Sequence, residues 1–206
     1  QGYSSAASDV YKRQQARGFA VIIPDGENSF YTNQEDINAL YEKFVSEELV
    51  AVTRRIFPLS DRREDTYIGG ISMGGFGSLM LGSRHPDVFS KVIALSPAIY
   101  PYRQNLLAAG FTTRQLDRYF GSESYFRENY YPLNNFKKLK DAGAQMPSIF
   151  LCCGEQDPLT YEQDVEFVQG MAEAGMPVAH EWGEGSHETM YWNAHLPSAI
   201  DFMMKD

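Results

Sequence analysis

Short continuous apolar runs alternate along this chain with stretches in which apolar residues return every three or four positions. Phe19-Ala20-Val21-Ile22-Ile23 is the first run, stopped by Pro24-Asp25-Gly26. Thr66–Gly69, Lys91–Ser96 and Ser148–Cys153 follow, and Pro177–Trp182 is a last short one. Runs of this length without alternation predict strands covered on both faces, as in a parallel sheet. Between them Ile37, Leu40, Tyr41, Phe44, Val45, Leu49, Val52 and Ile56 recur at helical spacing. They predict one long helix, or two joined ones, over residues 34–56, stopped before Pro58. A second helix is expected from Gly74 to Arg84, closed by His85-Pro86. A third runs from Glu162 to Ala174, with Val165, Val168 and Met171 facing inward, and a last one ends at Met204.

This alternation predicts an α/β fold, a mainly parallel sheet with helices on both faces. Residues 15–206 are expected to form a single domain. One long excursion, residues 97–145, is rich in aromatic side chains, among them Tyr100, Phe111, Tyr119, Phe120 and Phe126. Excursions of that length between sheet elements form lids or pocket walls. Residues 1–14, QGYSSAASDVYKRQ, have neither an apolar period nor a helix cap. Their end, DVYKRQ, looks like a translated transposase-end adaptor, so a non-native tail is expected and is set aside.

Charge narrows the partners. The chain carries 18 basic and 27 acidic residues, a net charge of −9. Nucleic acid and anionic membrane surfaces require basic patches, so neither is expected as a partner. No apolar run approaches the roughly 18 residues of a membrane span. The only two cysteines, Cys152 and Cys153, are neighbours in an apolar run. Strand neighbours point to opposite faces, so two reduced core thiols are expected rather than a bridge. Reduced thiols suit a cytoplasmic location.

The chemistry sits in Gly70-Ile71-Ser72-Met73-Gly74, a G-x-S-x-G between an apolar run and a helix. That pattern holds a serine on a tight strand-to-helix turn with its hydroxyl pushed clear of the sheet. The starting helix aims unpaired N–H groups at any anion forming beside Ser72. A serine hydroxyl needs a base to take its proton and an acid to orient that base. Asp157, in the turn after one strand, and His187, in the loop after the next, stand where such a sheet gathers its functional residues. The order Ser, Asp, His is that of the α/β-hydrolases. Other candidates fit less well. His180 lies within a strand, His195 within the last helix and His85 at a helix end, all structural positions. Asp164 reads as a solvated helix charge. Glu155 replaces Asp157 only if the turn runs in another register, and Glu184 and Glu188 read as exposed charges beside His187.

With these residues in place the chain resembles the esterase D family of α/β-hydrolases, near the tributyrin and acetyl esterases. PDGENSFYTN is similar to the family's segment after its fourth strand, and GGISMGGFGSLMLGSRHPDVF to its nucleophile elbow and following helix. CGEQDPL and GEGSHETMYW resemble its acid and histidine loops, although the family more often has Gly or Asp around that histidine. The resemblance spans residues 16–206. It implies a serine carboxylesterase acting on small-molecule esters of small acyl groups, with no metal or organic cofactor. Ser72 would be the nucleophile, His187 the general base and then acid, Asp157 its orienting carboxylate, and the Met73 N–H one oxyanion donor. Asn28 and Phe30 would border the pocket. S-formylglutathione hydrolysis, acyl transfer to an alcohol, and a hydrolase-like binding protein without catalysis are the alternatives, and the oligomeric state is left open.

The resemblance also implies a second oxyanion donor on a His-Gly loop after the family's third strand. No His in this chain is followed by Gly, and the family's first three strands have no counterpart in residues 1–15. The expectation is a chain that lacks a central strand, folds poorly and is nearly inactive, while the intact gene product is a working esterase.

Overall fold

In the computed structural model of this chain the described residues are 18–108 and 110–205. The tail expected at residues 1–14 lies outside them. Four strands, β3 (Tyr67–Ile71), β4 (Lys91–Leu95), β5 (Ser148–Gly154) and β6 (Ala179–Gly183), pair in that order and all in parallel. The register aligns Gly70 with Ala94, Leu95 with Cys152, and Gly154 with Gly183. Every carboxyl end therefore reaches the same edge of the sheet, the edge where open α/β folds place their chemistry.

The apolar runs at Lys91 and Ser148 form strands because both of their faces are covered. Val92, Ala94, Ile149 and Leu151 point to one face, where they meet Leu79, Phe136, Phe167 and Met171. Leu95, Phe150 and Cys152 point to the other, against Tyr191, Trp192 and Ala199. Helices α2 (Met73–Arg84), α6 (Pro132–Asp141) and α7 (Tyr161–Glu173) supply the first layer, and α8 (Thr189–Met204) the second. Full burial of a side chain such as Phe136 or Phe167 contributes about 2–3 kcal/mol. The thiols of Cys152 and Cys153 are free and buried, as the sequence predicts. Burial pushes both thiols far above their ordinary range, so neither is a nucleophile at neutral pH.

Residues 97–145 hold three further helices besides α6. These are α3 (Arg103–Ala108), α4 (Thr113–Phe120) and α5 (Glu123–Asn129). Thr112 caps α4 with a reciprocal capping box to Gln115, and the Ser122 hydroxyl accepts from the Tyr125 N–H at the start of α5. Their aromatic side chains close over Phe30 and Phe76 as a third core. Phe120 stands at its centre, edge-on to Phe30, Phe76, Phe126 and Tyr130 at centroid distances of 5.0–6.1 Å.

Two expectations fail at the front of the chain. Among the described residues Phe19–Ile23 pairs with no strand; Ile22 and Ile23 are exposed, and Phe19 packs against α8. A strand needs a partner for its backbone as well as cover for its side chains, and β3 has a neighbouring strand only on its β4 side among the described residues. The predicted helix over 34–56 starts late. Asn33–Gln34 (β1) pairs antiparallel with Ala39–Leu40 (β2) around a 3₁₀ turn at Glu35–Ile37, and Asn38 takes the left-handed conformation that reverses the chain. Helix α1 then runs through Tyr41–Lys43, a π-helical stretch at Phe44–Glu48, and Leu49–Ile56. Ile37, Val52 and Ile56, expected to face the core, are exposed.

Helix α1 is tied to α2 by one buried carboxylate. Glu42 accepts from Arg84 Nε at 2.6 Å and from His85 Nε2 at 3.0 Å, and Arg84 lies over the Tyr130 ring. Burial works against the charge on Glu42, but these two donors outweigh it and hold the carboxyl below its ordinary range. His85 is thus a helix-terminus residue, at the opposite end of α2 from Ser72.

Candidate active site

The site begins at the turn from β3 into α2. Ser72 has φ 54° and ψ −115°, a conformation few residues other than glycine adopt. It is held from three sides. Its N–H donates to Leu95 O at 2.9 Å, and its carbonyl accepts from Phe76 N and Ala98 N, both at 3.0 Å. The turn is so tight that a Cβ on Gly70 would stand 2.4 Å from the Gly74 carbonyl carbon. That close approach is the physical reason for the first glycine of the motif, whereas a Cβ on Gly74 would meet nothing nearer than the Tyr31 hydroxyl at 3.9 Å. Met73 is the first residue of α2, so its N–H has no acceptor within the helix.

Asp157 and His187 arrive on two loops that are fastened to each other. Glu155 N donates to Gly183 O at 2.8 Å and Gln156 N to Gly185 O at 2.9 Å, while Gly185 N donates back to Gln156 Oε1 at 2.7 Å. A Cβ on Gly154 would stand 2.3 Å from Gly185 O, so the two loops touch backbone to backbone.

Ser72, Asp157 and His187 meet. His187 Nδ1 lies 2.7 Å from Asp157 Oδ2, and His187 Nε2 lies 2.9 Å from Ser72 Oγ. A carboxylate can only accept, so Nδ1 carries the proton and Nε2 is left to accept from the serine hydroxyl. The Asp157 side chain is fully buried, and burial by itself would raise its pKa. The hydrogen bonds from His187, the Leu159 N–H and the Thr160 side chain outweigh that effect and keep the carboxyl below its usual range. The imidazole is braced as well. Trp192 stands perpendicular to it at 5.1 Å, and the indole N–H donates to Ser96 Oγ at 3.0 Å.

The remaining candidates lie apart from this cluster. His180 Nδ1 faces Val178 O at 3.0 Å, and His195 pairs with Glu181 at 3.0 Å while stacking on Tyr191 at 4.2 Å. Glu155, Glu184 and Glu188 are exposed. Asp164 corrects the sequence reading. It is 0% exposed rather than solvated, because the first turn of α7 is pressed beneath the Asp157 turn. Asn28 is exposed, whereas Phe30 is buried and lines a narrow void, too tight for water, with Phe76, Ala98, Tyr100, Leu106, Phe120 and Phe126. Sequence reasoning missed Gln156, Thr160, Ser96 and Trp192. Thr160 had a usable signal, since a threonine three residues past the aspartate can donate its hydroxyl to that carboxylate.

Among the described residues no group of three or more His, Cys, Asp or Glu is placed to hold a metal, and no helix is long and apolar enough to cross a membrane.

Comparison with known proteins identifies the family. A family model described as putative esterase matches residues 3–203. The chain is 33% identical over 197 residues to an acetyl esterase of Caldicellulosiruptor saccharolyticus, covering 90% of this chain and 72% of that one. It superposes with a TM-score of 0.86 on the substrate-bound fluorophosphonate-binding serine hydrolase F of Staphylococcus aureus, at 28% identity over 99% of this chain and 78% of that one. An S-formylglutathione hydrolase of the same organism gives a TM-score of 0.82 at 27% identity, over 95% and 76% of the two chains. The chain belongs to this esterase family of the α/β-hydrolases, and it is a serine ester hydrolase.

Proposed function

We propose that the chain is a carboxylesterase of small acyl esters, working through an acyl-enzyme on Ser72. The observation that carries the reading is the continuous line from Asp157 Oδ2 through His187 to Ser72 Oγ, at 2.7 and 2.9 Å. Ser72 Oγ bonds to the acyl carbon while His187 Nε2 takes the hydroxyl proton. Asp157 keeps the imidazole in the required tautomer and stabilises the imidazolium that forms. The Met73 N–H donates to the oxyanion. The bond to the alcohol oxygen then breaks, and His187 returns its proton to that oxygen. Water repeats the sequence to release the acid.

One observation favours a small acyl group, the likeness to an acetyl esterase. Residues 97–145 are proposed as the lid-like part of the domain, anchored by Leu106, Phe120 and Phe126 in the core around Phe30 and Phe76. Hydrolysis of S-formylglutathione is the second reading, favoured by the likeness to the S. aureus enzyme. The two buried free thiols favour a cytoplasmic location.

Labelling with a fluorophosphonate and hydrolysis of p-nitrophenyl acetate test the mechanism. Ser72→Ala should abolish the adduct and lower turnover by about 10⁴-fold or more. An adduct on another residue, or unchanged turnover, would sink the proposal. A panel of acetyl, feruloyl, tributyrin and S-formylglutathione substrates separates the two readings.

A further inference from the structure

Behind the triad aspartate lies a second carboxyl that the mechanism above does not use. Asp164, in the first turn of α7, is 0% exposed, and neither of its oxygens has a hydrogen-bond partner. An ionised carboxylate in that position would be an unpaired buried charge, among the most costly arrangements a fold can contain. The start of α7 favours negative charge, yet the donors there serve the neighbour. The Leu159 and Thr160 N–H groups and the Thr160 hydroxyl all donate to Asp157, at 2.9, 3.3 and 3.0 Å. The Thr160 hydroxyl has spent its proton on Asp157, so the Cys153 thiol, 3.3 Å away, donates to Thr160 rather than accepting from it. The same sulfur lies 3.7 Å from Asp157 Oδ2.

We propose that Asp164 is held as a neutral carboxylic acid behind the triad. Asp157 and Asp164 thereby carry one negative charge between them, and His187 faces a single carboxylate. The proposal rests on the triad reading for its role, but not for its protonation state. Asp164 is a positioning residue, acting through Asp157 and touching no reacting atom.

The groups around it point the same way. Burial is the largest influence on Asp164 and raises its pKa well above the ordinary carboxyl range; the Cys153 side chain opposes it next, the Asp157 charge raises it again, and Thr160 lowers it least, without cancelling the effect of burial. Asp164 in turn acts on Cys152 and Cys153 of β5 and on Tyr100 of the excursion, each of which is itself held protonated by burial. The charged groups facing this cluster are Asp157, through it His187, and Glu181, which acts on Cys152. No cation among these groups pairs with Asp164.

Infrared spectroscopy near neutral pH tests the proposal directly. The folded chain should show the carbonyl band of a protonated carboxylic acid, at a pH where exposed carboxyls are ionised. Asp164→Asn should abolish that band, Ser72→Ala should leave it, and Cys153→Ala should shift it if Asp164→Asn fails to fold. The acid limb of the fluorophosphonate labelling profile should stay in place in Asp164→Asn, because one neutral group replaces another. Absence of the band, or movement of that limb to lower pH by about one unit, would overturn the proposal. A band that persists in a protein whose Ser72 never labels would overturn the triad reading alone.

Discussion

The Trp192 indole donates its N–H to Ser96 Oγ at 3.0 Å, across the sheet edge from the imidazole it braces. Ser96 follows β4 with φ 43°, and its own N–H donates to Cys152 O at 2.7 Å, so the acceptor is fixed to two strands. The indole is therefore held against His187 by the sheet itself. Trp192→Phe should keep the ring edge but lose the tether, and turnover should fall between about 10- and 100-fold with little change in KM. Ser96→Ala leaves a buried indole N–H without an acceptor and should cost about 1–3 kcal/mol. Thermal melts beside kcat and KM check both. A pure KM effect in Trp192→Phe would argue that the ring touches substrate instead.

Gln156 should matter more to rate than to stability. Besides the Asp157–His187 bond, three hydrogen bonds join the acid turn to the histidine loop, and the Gln156 amide holds one of them while the other two are backbone. Gln156→Ala should destabilise by about 1 kcal/mol. It should also slow Ser72 labelling by about tenfold, because the Asp157–His187 spacing loosens. Gly154→Ala is the severe version, since its methyl would meet Gly185 O. Loss of labelling should accompany loss of cooperative unfolding there.

Stability should depend on pH in two opposed ways. Asp157 and Glu42 have carboxyls that burial alone would raise, yet their partners lower them below the ordinary value. Their contribution is present above the unfolded carboxyl value of about 4 and is lost as pH falls through the depressed folded value. Asp164 is shifted upward, so the folded chain keeps a proton the unfolded chain gives up above about pH 4. Its effect is a loss of stability as pH rises. The Tm of Asp164→Asn relative to wild type should therefore climb between pH 5 and pH 8. A flat difference over that range would mean that Asp164 titrates alike in both states.

Glu42→Ala should separate folding from catalysis. It strands Arg84 and His85 at the far end of α2, and with Arg84 about a third exposed the cost should be about 1–3 kcal/mol. Labelling per folded molecule should be unchanged, as Ser72 lies a full helix away. A proportionate fall in labelling would show that α2 transmits the damage to the elbow.

The elbow, β4, β5 and the order of the triad were legible in the sequence because each depends on a local pattern: an apolar run, a tight glycine spacing, a turn. Phe19–Ile23 shows the limit. Its residues look like those of β4, but a strand is completed by a neighbour, and hydropathy does not encode neighbours. Asp164 shows another. Charged residues in the first turn of a helix are ordinarily solvated, and nothing local reveals that this turn sits under the Asp157 loop. Ser96 and Trp192 were invisible for the same reason, being 96 positions apart and joined only by the fold.

The backbone of Ser72 also restricts which side chains this position of the elbow could carry. At φ 54° a side chain branched at Cβ is a genuine outlier, because its second substituent crowds the neighbouring carbonyls. Threonine carries the same hydroxyl as serine and is chemically able to form an acyl-enzyme. The turn at φ 54° disfavours the extra methyl on Cβ, whereas cysteine, like serine, is unbranched there. A change of chemistry at this position is thus open to sulfur and closed to a secondary alcohol, a choice made by the chain's conformation rather than by reactivity.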